Sequence, residues 1–333
     1  MSDLSTKYMG FDLKSPIIPS ASPLMREVDN VKKMEDAGAG AVVLDSLFEE
    51  EINFEEDELN HFLEYGTEAF AESTTYFPQQ EEYVMGTDLY LERIRKMKEA
   101  VDIPVIASMN GIDDGDWTKT AKLIQEAGAD ALELNIYILN TNFNVTSGEI
   151  EKLYFDILRN VKSQLSIPVA VKLGPYFSSF AWMAKKLSDE AGADALVLFN
   201  RFYQPDFDIF NLHVDSHLVL SNPNEMRLPM QWIAILYGNL KASLALTTGV
   251  HAHEDAIKAF MAGADVAMTT SALLENGIGH ITKLLDGIKG WMLEHEYGSL
   301  SDMKGSLSLQ KCPDPDAFER ANYMKMLRSY TGR

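Results

Sequence analysis

Several residues able to bind a ligand or do chemistry directly follow short apolar runs. Lys172 follows Val169, Ala170 and Val171, and Asn135 follows Leu134. Further polar residues end or follow other runs: Ser22, Asn110, Asn200, Thr248, Thr270 and Ser271. If the runs are parallel strands of one barrel, these residues meet at its carboxyl end, where barrel enzymes place their active sites. Converging amides, hydroxyls and an ammonium group are suited to binding a small polar ligand.

Lys172 is the residue that most clearly indicates a binding site, because a lysine at the end of a buried strand places its ammonium group at the mouth of the barrel. A charge in such a place needs an anionic partner. The sequence leaves two candidates for that partner. One is a carboxylate of the protein in a structural ion pair, and the other is a cofactor that is negatively charged in one redox state.

Two hydroxyl-rich turns late in the chain predict a phosphate site. Thr248 and Gly249 follow the seventh apolar run, and Thr270 and Ser271 follow the eighth. Barrels commonly hold phosphate with backbone N–H groups of these two loops. A glycine at position 249 lets the backbone approach a ligand closely. The same residue types also occur in ordinary turns, which remains the alternative interpretation.

The elements that would position these residues follow a repeated pattern. An Ala-Gly-Ala cassette centred on Gly38, Gly128, Gly192 and Gly263 precedes four apolar runs, and glycine commonly terminates a helix in this way. Pro104 and Pro168 introduce two more strands. With runs near residues 16 and 243, this makes eight strands, separated by helical periodicity over 28–37, 117–127, 150–165 and 182–191.

Eight alternating units of strand and helix predict an α/β protein with a closed TIM (β/α)8 barrel. We expect the barrel to span residues 1–300 and to include an N-terminal hairpin, with residues 301–333 as a polar tail. Two insertions interrupt the repeat, an acidic and then aromatic one at about 46–90 and a second at about 202–229. Each follows a strand, so both are expected on the carboxyl-end face, the first as a lid.

Composition narrows the function classes. The chain has 50 acidic against 29 basic residues and a formal charge of −21, which argues against nucleic acid or anionic membranes as partners. It contains neither a leader-like segment nor an apolar run near the roughly 20 residues of a membrane span. A single cysteine rules out an internal disulfide or a multi-cysteine metal site. We therefore expect a soluble cytoplasmic protein without a metal.

Motifs along nearly the whole chain resemble those of the dihydroorotate dehydrogenase family. Residues 5–22 are similar to the family's N-terminal hairpin and first strand, which ends in an Ala-Ser turn like that of Ala21 and Ser22. The Glu-Leu-Asn sequence ending at Asn135 and the Lys-Leu-Gly-Pro sequence beginning at Lys172 resemble two family strands. Residues 248–250 and 262–264 resemble its phosphate end, and residues 297–305 its closing tail.

The resemblance implies flavin mononucleotide (FMN) bound across the barrel mouth. It places Lys172 near N1 and O2 of the flavin ring, and Asn110 and Asn135 near the ring and the substrate. The implied cofactor-binding set is Ala21, Ser22, Asn110, Asn135, Lys172, Asn200, Thr248, Gly249, Thr270 and Ser271. A lysine beside N1 would favour the anionic reduced flavin. The resemblance also suggests a homodimer.

Two departures from the family pattern concern the substrate half of the site. The family's catalytic base, a cysteine or serine, falls on Ile138, which cannot accept a proton. A family lysine that helps bind flavin and the substrate carboxylate is replaced by Asp45, which is expected to repel orotate. Tyr137, Tyr203 and His213 are weak alternative candidates for a catalytic group.

The sequence therefore predicts an FMN-dependent oxidoreductase acting on a carbon–carbon single or double bond, and not an efficient dihydroorotate dehydrogenase. Two alternatives stay open. One is a flavin-binding protein with little or no turnover. The other is a barrel enzyme that uses the phosphate site for a sugar phosphate or a similar ligand, without flavin.

Overall fold

A computed structural model of the protein describes residues 2–48, 86–111, 117–215, 217–313, 315 and 322–329. Within these ranges the strands are β1 (Thr6–Tyr8), β2 (Phe11–Leu13), β3 (Ile17–Pro19), β4 (Val42–Phe48), β5 (Val105–Gly111), β6 (Ala131–Ile136), β7 (Val169–Leu173), β8 (Ala195–Leu198), β9 (Asp206–Asp208), β10 (His213–Asp215), β11 (Ser243–Leu246) and β12 (Val266–Thr269). The helices are α1 (Val28–Asp36), α2 (Thr87–Ala100), α3 (Trp117–Glu126), α4 (Ser147–Gln164), α5 (Phe180–Asp189), α6 (Arg227–Leu236), α7 (His253–Ala262), α8 (Ser271–Asn276), α9 (His280–Glu294), α10 (Leu300–Met303) and α11 (Asn322–Ser329).

Eight strands form one parallel sheet in the order β3, β12, β11, β8, β7, β6, β5, β4. The Gly40 N–H donates to the Ile17 carbonyl at 2.9 Å and links the two ends of the sheet. Strands such as β6 are buried along their whole length, as expected when helices cover the outside and side chains fill the inside. The predicted (β/α)8 barrel is confirmed.

The helices lie close to their predicted positions. Periodicity placed α3 over 117–127 and α5 over 182–191, each within two residues of the observed ends. Helix α4 begins three residues before its predicted start because Thr146 and Glu149 form a capping box. The Thr146 N–H donates to Glu149 Oε2 at 2.7 Å, and the Glu149 N–H donates to Thr146 Oγ1 at 3.3 Å.

The four cassette glycines, Gly38, Gly128, Gly192 and Gly263, all have the positive φ expected of a helix terminator. At Gly263 the φ is +123°, and a Cβ there would come within 2.4 Å of the Tyr237 ring. Glycine is therefore required at this position both by backbone conformation and by the close approach of the ring.

The N-terminal hairpin closes one end of the barrel. Strands β1 and β2 pair antiparallel, and Tyr8, Met9 and Leu13 pack against barrel-interior residues such as Ile18 and Ile106. Because this plug occupies the amino end of the strands, the carboxyl end is the one left for a ligand.

Residues 202–229 contain the antiparallel hairpin of β9 and β10, which sequence reading did not predict. Its apolar side chains are largely exposed, and Phe210 reaches 91% exposure. The chain stays packed on the barrel beyond residue 300. Gly305 and Leu307 donate backbone hydrogen bonds to the Phe260 and Met261 carbonyls of α7, and the expected division at residue 300 stays a prediction.

Among the helices that the structure describes, none has the length and apolar character needed to span a membrane.

Candidate active site

The strand ends bring most of the predicted cofactor residues to one cleft. This cleft, of about 150 Å³ and open to solvent, is lined by Ala21, Ser22, Lys172, Asn200, Thr248, Gly249, Thr270 and Ser271. Asn135 adjoins it, because its Oδ1 accepts a 2.5 Å hydrogen bond from Asn200 Nδ2. Asn110 lies beside Asn135 on the neighbouring strand β5. The ten positions inferred from the sequence therefore cluster at the carboxyl end of the barrel.

Lys172 enters the cleft from β7 with its side chain only 10% exposed. Its Nζ lies 3.3 Å from Oε1 of Glu133, which is 1% exposed on the adjacent strand β6. Glu133 Oε2 is buried and has no partner among the described residues. The structure therefore agrees with both candidate partners of Lys172. The ion pair with Glu133 is present, and Lys172 also lines a cleft that can hold an anionic ligand.

The charge of the Glu133 carboxylate also acts on Tyr8, in the N-terminal hairpin. Burial raises the pKa of the Tyr8 hydroxyl well above its ordinary value, and the negative charges of Glu133 and Asp265 raise it further. The barrel interior around Tyr8 therefore disfavours a further negative charge.

The predicted phosphate end is built from backbone with unusual conformation. Thr248 and Gly249 both have a φ of +80°, and a Cβ at Gly249 would lie 2.6 Å from the Met226 nitrogen. Thr270 Oγ1 bonds to Ser20, donating to its carbonyl at 3.0 Å and lying 2.8 Å from its hydroxyl. These contacts fix the loops after β11 and β12 in place before any ligand binds.

Sequence reading missed Ser221, a buried residue of the 202–229 insertion that lines the same cleft. Its N–H and its hydroxyl donate to Ser271 Oγ at 3.0 and 2.9 Å, and its Oγ lies 3.2 Å from His251 Nε2. Nothing local to Ser221 marks it, since its partners lie 50 and 30 residues further along the chain.

The sequence resemblance assigned the family's base to residue 138, and this assignment stays a prediction. Ile138 is half-buried and packs against the main hydrophobic cluster. The preceding Tyr137 stacks on Phe202, with ring centroids 4.3 Å apart, and Phe202 meets Tyr176 edge-on at 5.1 Å. Burial raises the pKa of Tyr137, so its hydroxyl stays protonated at neutral pH.

The other two candidates for a catalytic group differ in position. Tyr203 lines the cleft, and the guanidinium of Arg201 lies 5.4 Å from the centre of its ring. His213 is exposed on β10 and does not line this cleft.

The expectation that Asp45 repels orotate has to be corrected, because its charge is paired in the structure. Strand β4 continues past Asp45 to Phe48, with a register shift between Val43 and Ser46. Asp45 accepts hydrogen bonds from Arg26 Nε at 3.0 Å and from Arg93 Nη1 at 2.8 Å. Two guanidinium groups offset its single negative charge, so Asp45 would not repel a carboxylate as an isolated aspartate would. Sequence reading missed this because both arginines are distant in the chain.

The acidic and aromatic insertion after β4 lies mostly outside the described residues, since residues 49–85 are not among them. Its assignment as a lid stays a prediction.

The residues of the cleft suit a flavin that carries a phosphate. They include a buried cation, a hydroxyl of Ser22 that is buried without a partner among the described residues, and two loops whose threonine and serine residues line the cleft. Fold and site together define a (β/α)8 barrel with a mouth shaped for an anionic cofactor.

Comparison with known proteins agrees with the family resemblance of the sequence motifs. The dihydroorotate dehydrogenase family model matches residues 83–292. Relatives include the "Dihydroorotate dehydrogenase B (NAD(+)), catalytic subunit" of Thermoplasma acidophilum, 27% identical over 92% of this chain and 99% of the relative. The protein of the same description from Methanocaldococcus jannaschii is 27% identical over 87% of this chain and 94% of the relative.

The chain belongs to the dihydroorotate dehydrogenase family. It is an FMN-dependent oxidoreductase that acts on CH–CH groups, as the motifs indicated.

Proposed function

We propose that this protein transfers hydride between a small substrate with a C–C or C=C bond and FMN, and that it turns over dihydroorotate poorly. The second part is supported by Ile138, an apolar residue packed against the core at the position that the sequence resemblance assigns to the family's base. Proton transfer by a positioned side chain is typically worth about 10²–10⁴-fold in rate.

The described residues suggest how FMN is held. Lys172 would lie against the flavin ring and balance the negative charge of its reduced form. The backbone at Gly249, Thr270 and Ser271 would hold the phosphate. When bound, FMN supplies hydride acceptance and donation at N5.

The substrate end offers amides and aromatic rings. Asn135 and Asn200 are joined by their hydrogen bond, and Asn110 lies on the next strand. Tyr137 would serve as a proton donor better than as a base, because its raised pKa keeps the hydroxyl protonated. This assignment favours reduction of a C=C bond over oxidation of dihydroorotate.

Re-oxidation of the reduced, protein-bound flavin by candidate substrates tests the proposal. FMN-loaded protein is reduced anaerobically with dithionite and mixed with a panel of small unsaturated compounds. We expect at least one compound to restore the yellow absorbance on a catalytic timescale, and Tyr137→Phe to slow this step while leaving FMN affinity unchanged. Full activity in Tyr137→Phe would remove that residue from the reaction.

A second candidate function is flavin binding with little or no turnover, which the absence of a base at residue 138 favours. Failure of every compound in the panel to re-oxidise a protein that retains stoichiometric FMN would support this alternative.

We further propose a cytoplasmic homodimer. The exposed apolar hairpin of β9 and β10 supports self-association, because monomers rarely leave so many large apolar side chains in water. The family resemblance suggests that a second copy of this chain covers the hairpin.

A further inference from the structure

A second cavity, the side cavity, adjoins the cleft at the carboxyl end of the barrel. It measures about 620 Å³ and is bounded by the loop after β7, the insertion after β8 and the first turn of α6, with Tyr176, Phe202 and Arg227 among its lining residues. Asn200 and Thr248 line both the side cavity and the cleft, so the two lie side by side. A ligand in the side cavity therefore borders the place proposed for FMN.

One wall of the side cavity is aromatic and held in place by its neighbours. Phe202 stacks on Tyr137, with ring centroids 4.3 Å apart and an angle of 19° between the planes, and meets Tyr176 edge-on at 5.1 Å. The Phe202 ring also lies close to Gly174, where a Cβ would come within 2.5 Å of the ring atom Cε2. The wall is therefore formed before any ligand binds, as is usual for small-molecule sites.

Two aromatic rings at the side cavity remain largely in water. Tyr176 is 69% exposed and Tyr203 is 57% exposed, although both line the cavity. Aromatic rings gain free energy when another flat ring covers them, either stacked or edge-on. A ligand with a flat aromatic group would therefore cover surface that the fold leaves open.

The charged groups of the side cavity leave one guanidinium group unopposed. Glu225 accepts hydrogen bonds from Arg201 Nε at 2.9 Å and from its Nη2 at 3.3 Å, so these two charges offset each other. His217 has its Nδ1 3.3 Å from Oδ2 of Asp215, which does not line the cavity. Arg227 is exposed and makes no hydrogen bond or ion pair with the described residues. Its guanidinium group is suited to binding a carboxylate.

The size of the side cavity favours a ligand larger than dihydroorotate. Its volume of about 620 Å³ lies within the roughly 300–1,000 Å³ of pockets that hold drug-sized molecules. A single six-membered ring with a carboxylate would fill only a small part of this space. A fused pair of rings would reach the aromatic wall and Arg227 together.

We propose that the side cavity binds flat aromatic carboxylates with fused rings, and that Arg227 selects for the carboxylate. The proposal rests on the proposed function for the reaction and names its substrate class, an aromatic acid whose C=C bond is conjugated to the carboxylate. The rings lie against Tyr176 and Phe202, and the carboxylate accepts hydrogen bonds from Arg227. Specificity then comes from residues that line the side cavity and are not part of the ten cofactor positions.

The test uses naphthylacrylate and its neutral amide as probes of flavin-free, full-length protein, with naphthyl fluorescence as the measure of binding. Wild-type protein should bind the acid about tenfold more tightly than the amide, the difference between a charge-assisted and a neutral hydrogen bond. Arg227→Gln should abolish this preference by weakening the binding of the acid alone. Tyr176→Ala should weaken both probes alike, by about two- to tenfold, because it removes a ring contact.

Arg159→Gln, an exposed arginine on α4 outside the cavity lining, is the matched control and should bind both probes like the wild type. Equal affinity of the wild type for acid and amide would overturn the proposal. So would unchanged binding of the acid in Arg227→Gln, or displacement of the acid by orotate at a similar affinity.

Re-oxidation of reduced, FMN-loaded protein by naphthylacrylate separates binding from reaction. The acid should restore the yellow absorbance, and Arg227→Gln should raise the concentration needed for the half-maximal rate while leaving the maximal rate unchanged. Binding of the acid as expected, without re-oxidation, would refute the proposed reaction and the role of the acid as its substrate, while the binding site would stand.

Discussion

At the scale of single residues, two charged side chains are expected to set the reduction potential of a bound flavin. Lys172 and Glu133 form a buried pair of which only the lysine lines the cleft. In the proposed site the lysine would add positive electrostatic potential at the flavin ring, and the glutamate would offset part of it. We therefore expect the two residues to have opposite effects on the reduction potential of a bound flavin.

Lys172→Gln should lower the flavin reduction potential and weaken FMN binding. A loss of about 1.4 kcal/mol of differential stabilisation corresponds to about 30 mV for a two-electron couple. Spectroelectrochemical titration measures this shift. Because a lone Glu133 would be a buried unpaired charge, the double variant with Glu133→Gln guards against misfolding. The exposed Lys185→Gln serves as control, and an unchanged potential in folded Lys172→Gln would place Lys172 away from the flavin.

Glu133→Gln should have the opposite effect and raise the reduction potential, by a similar amount, because it leaves the ammonium group unopposed. The same titration measures it. A fall in potential would mean that Glu133 holds Lys172 in position and does not merely neutralise it.

At the scale of elements, the sequence predicted those strands and helix ends that depend mainly on neighbouring residues in the chain. Apolar runs and glycine terminators placed all eight barrel strands and most helix ends within a few residues. The hairpin of β9 and β10 and the register shift in β4 carry no such signal, because pairing partners and neighbouring strands determine them. The same limit applies to the site: strand ends were predictable, whereas Ser221 and the arginines around Asp45 come together only through the fold.

Gly263→Ala should destabilise the protein. Its φ of +123° would cost an alanine about 1–3 kcal/mol, before any displacement of Tyr237. Urea unfolding measures the change. Gly290→Ala in α9, where a Cβ meets no atom within 4 Å, should instead stabilise by up to about 1 kcal/mol. Equal effects of the two substitutions would contradict the role given to the helix terminator.

At the scale of the whole molecule, an acidic barrel presents an apolar hairpin beside its cleft. The net charge of −21 disfavours unspecific association, so contact between two copies needs a local apolar surface. Leu218 and Tyr203, from the same insertion, line the cleft, which links the site to the surface where we expect a partner subunit.

Phe207→Asp with Phe210→Asp should convert the protein from dimer to monomer, because each places a charge on the exposed hairpin. Light scattering during size-exclusion chromatography measures the mass. Leu293→Asp, an exposed apolar residue on α9 away from the hairpin, is the control and should stay dimeric. A wild-type monomer would contradict the dimer proposal.

The central claim is that this chain keeps the flavin half of the family site and has rebuilt the dihydroorotate half. Anaerobic stopped-flow mixing of FMN-loaded protein with dihydroorotate tests it most directly. We predict that dithionite bleaches the flavin at once, whereas excess dihydroorotate leaves it oxidised over many seconds. Ile138→Cys should not restore reduction, because that side chain packs against the core. Bleaching by dihydroorotate at about 1–10³ s⁻¹, the usual range of enzymatic turnover, would contradict the account.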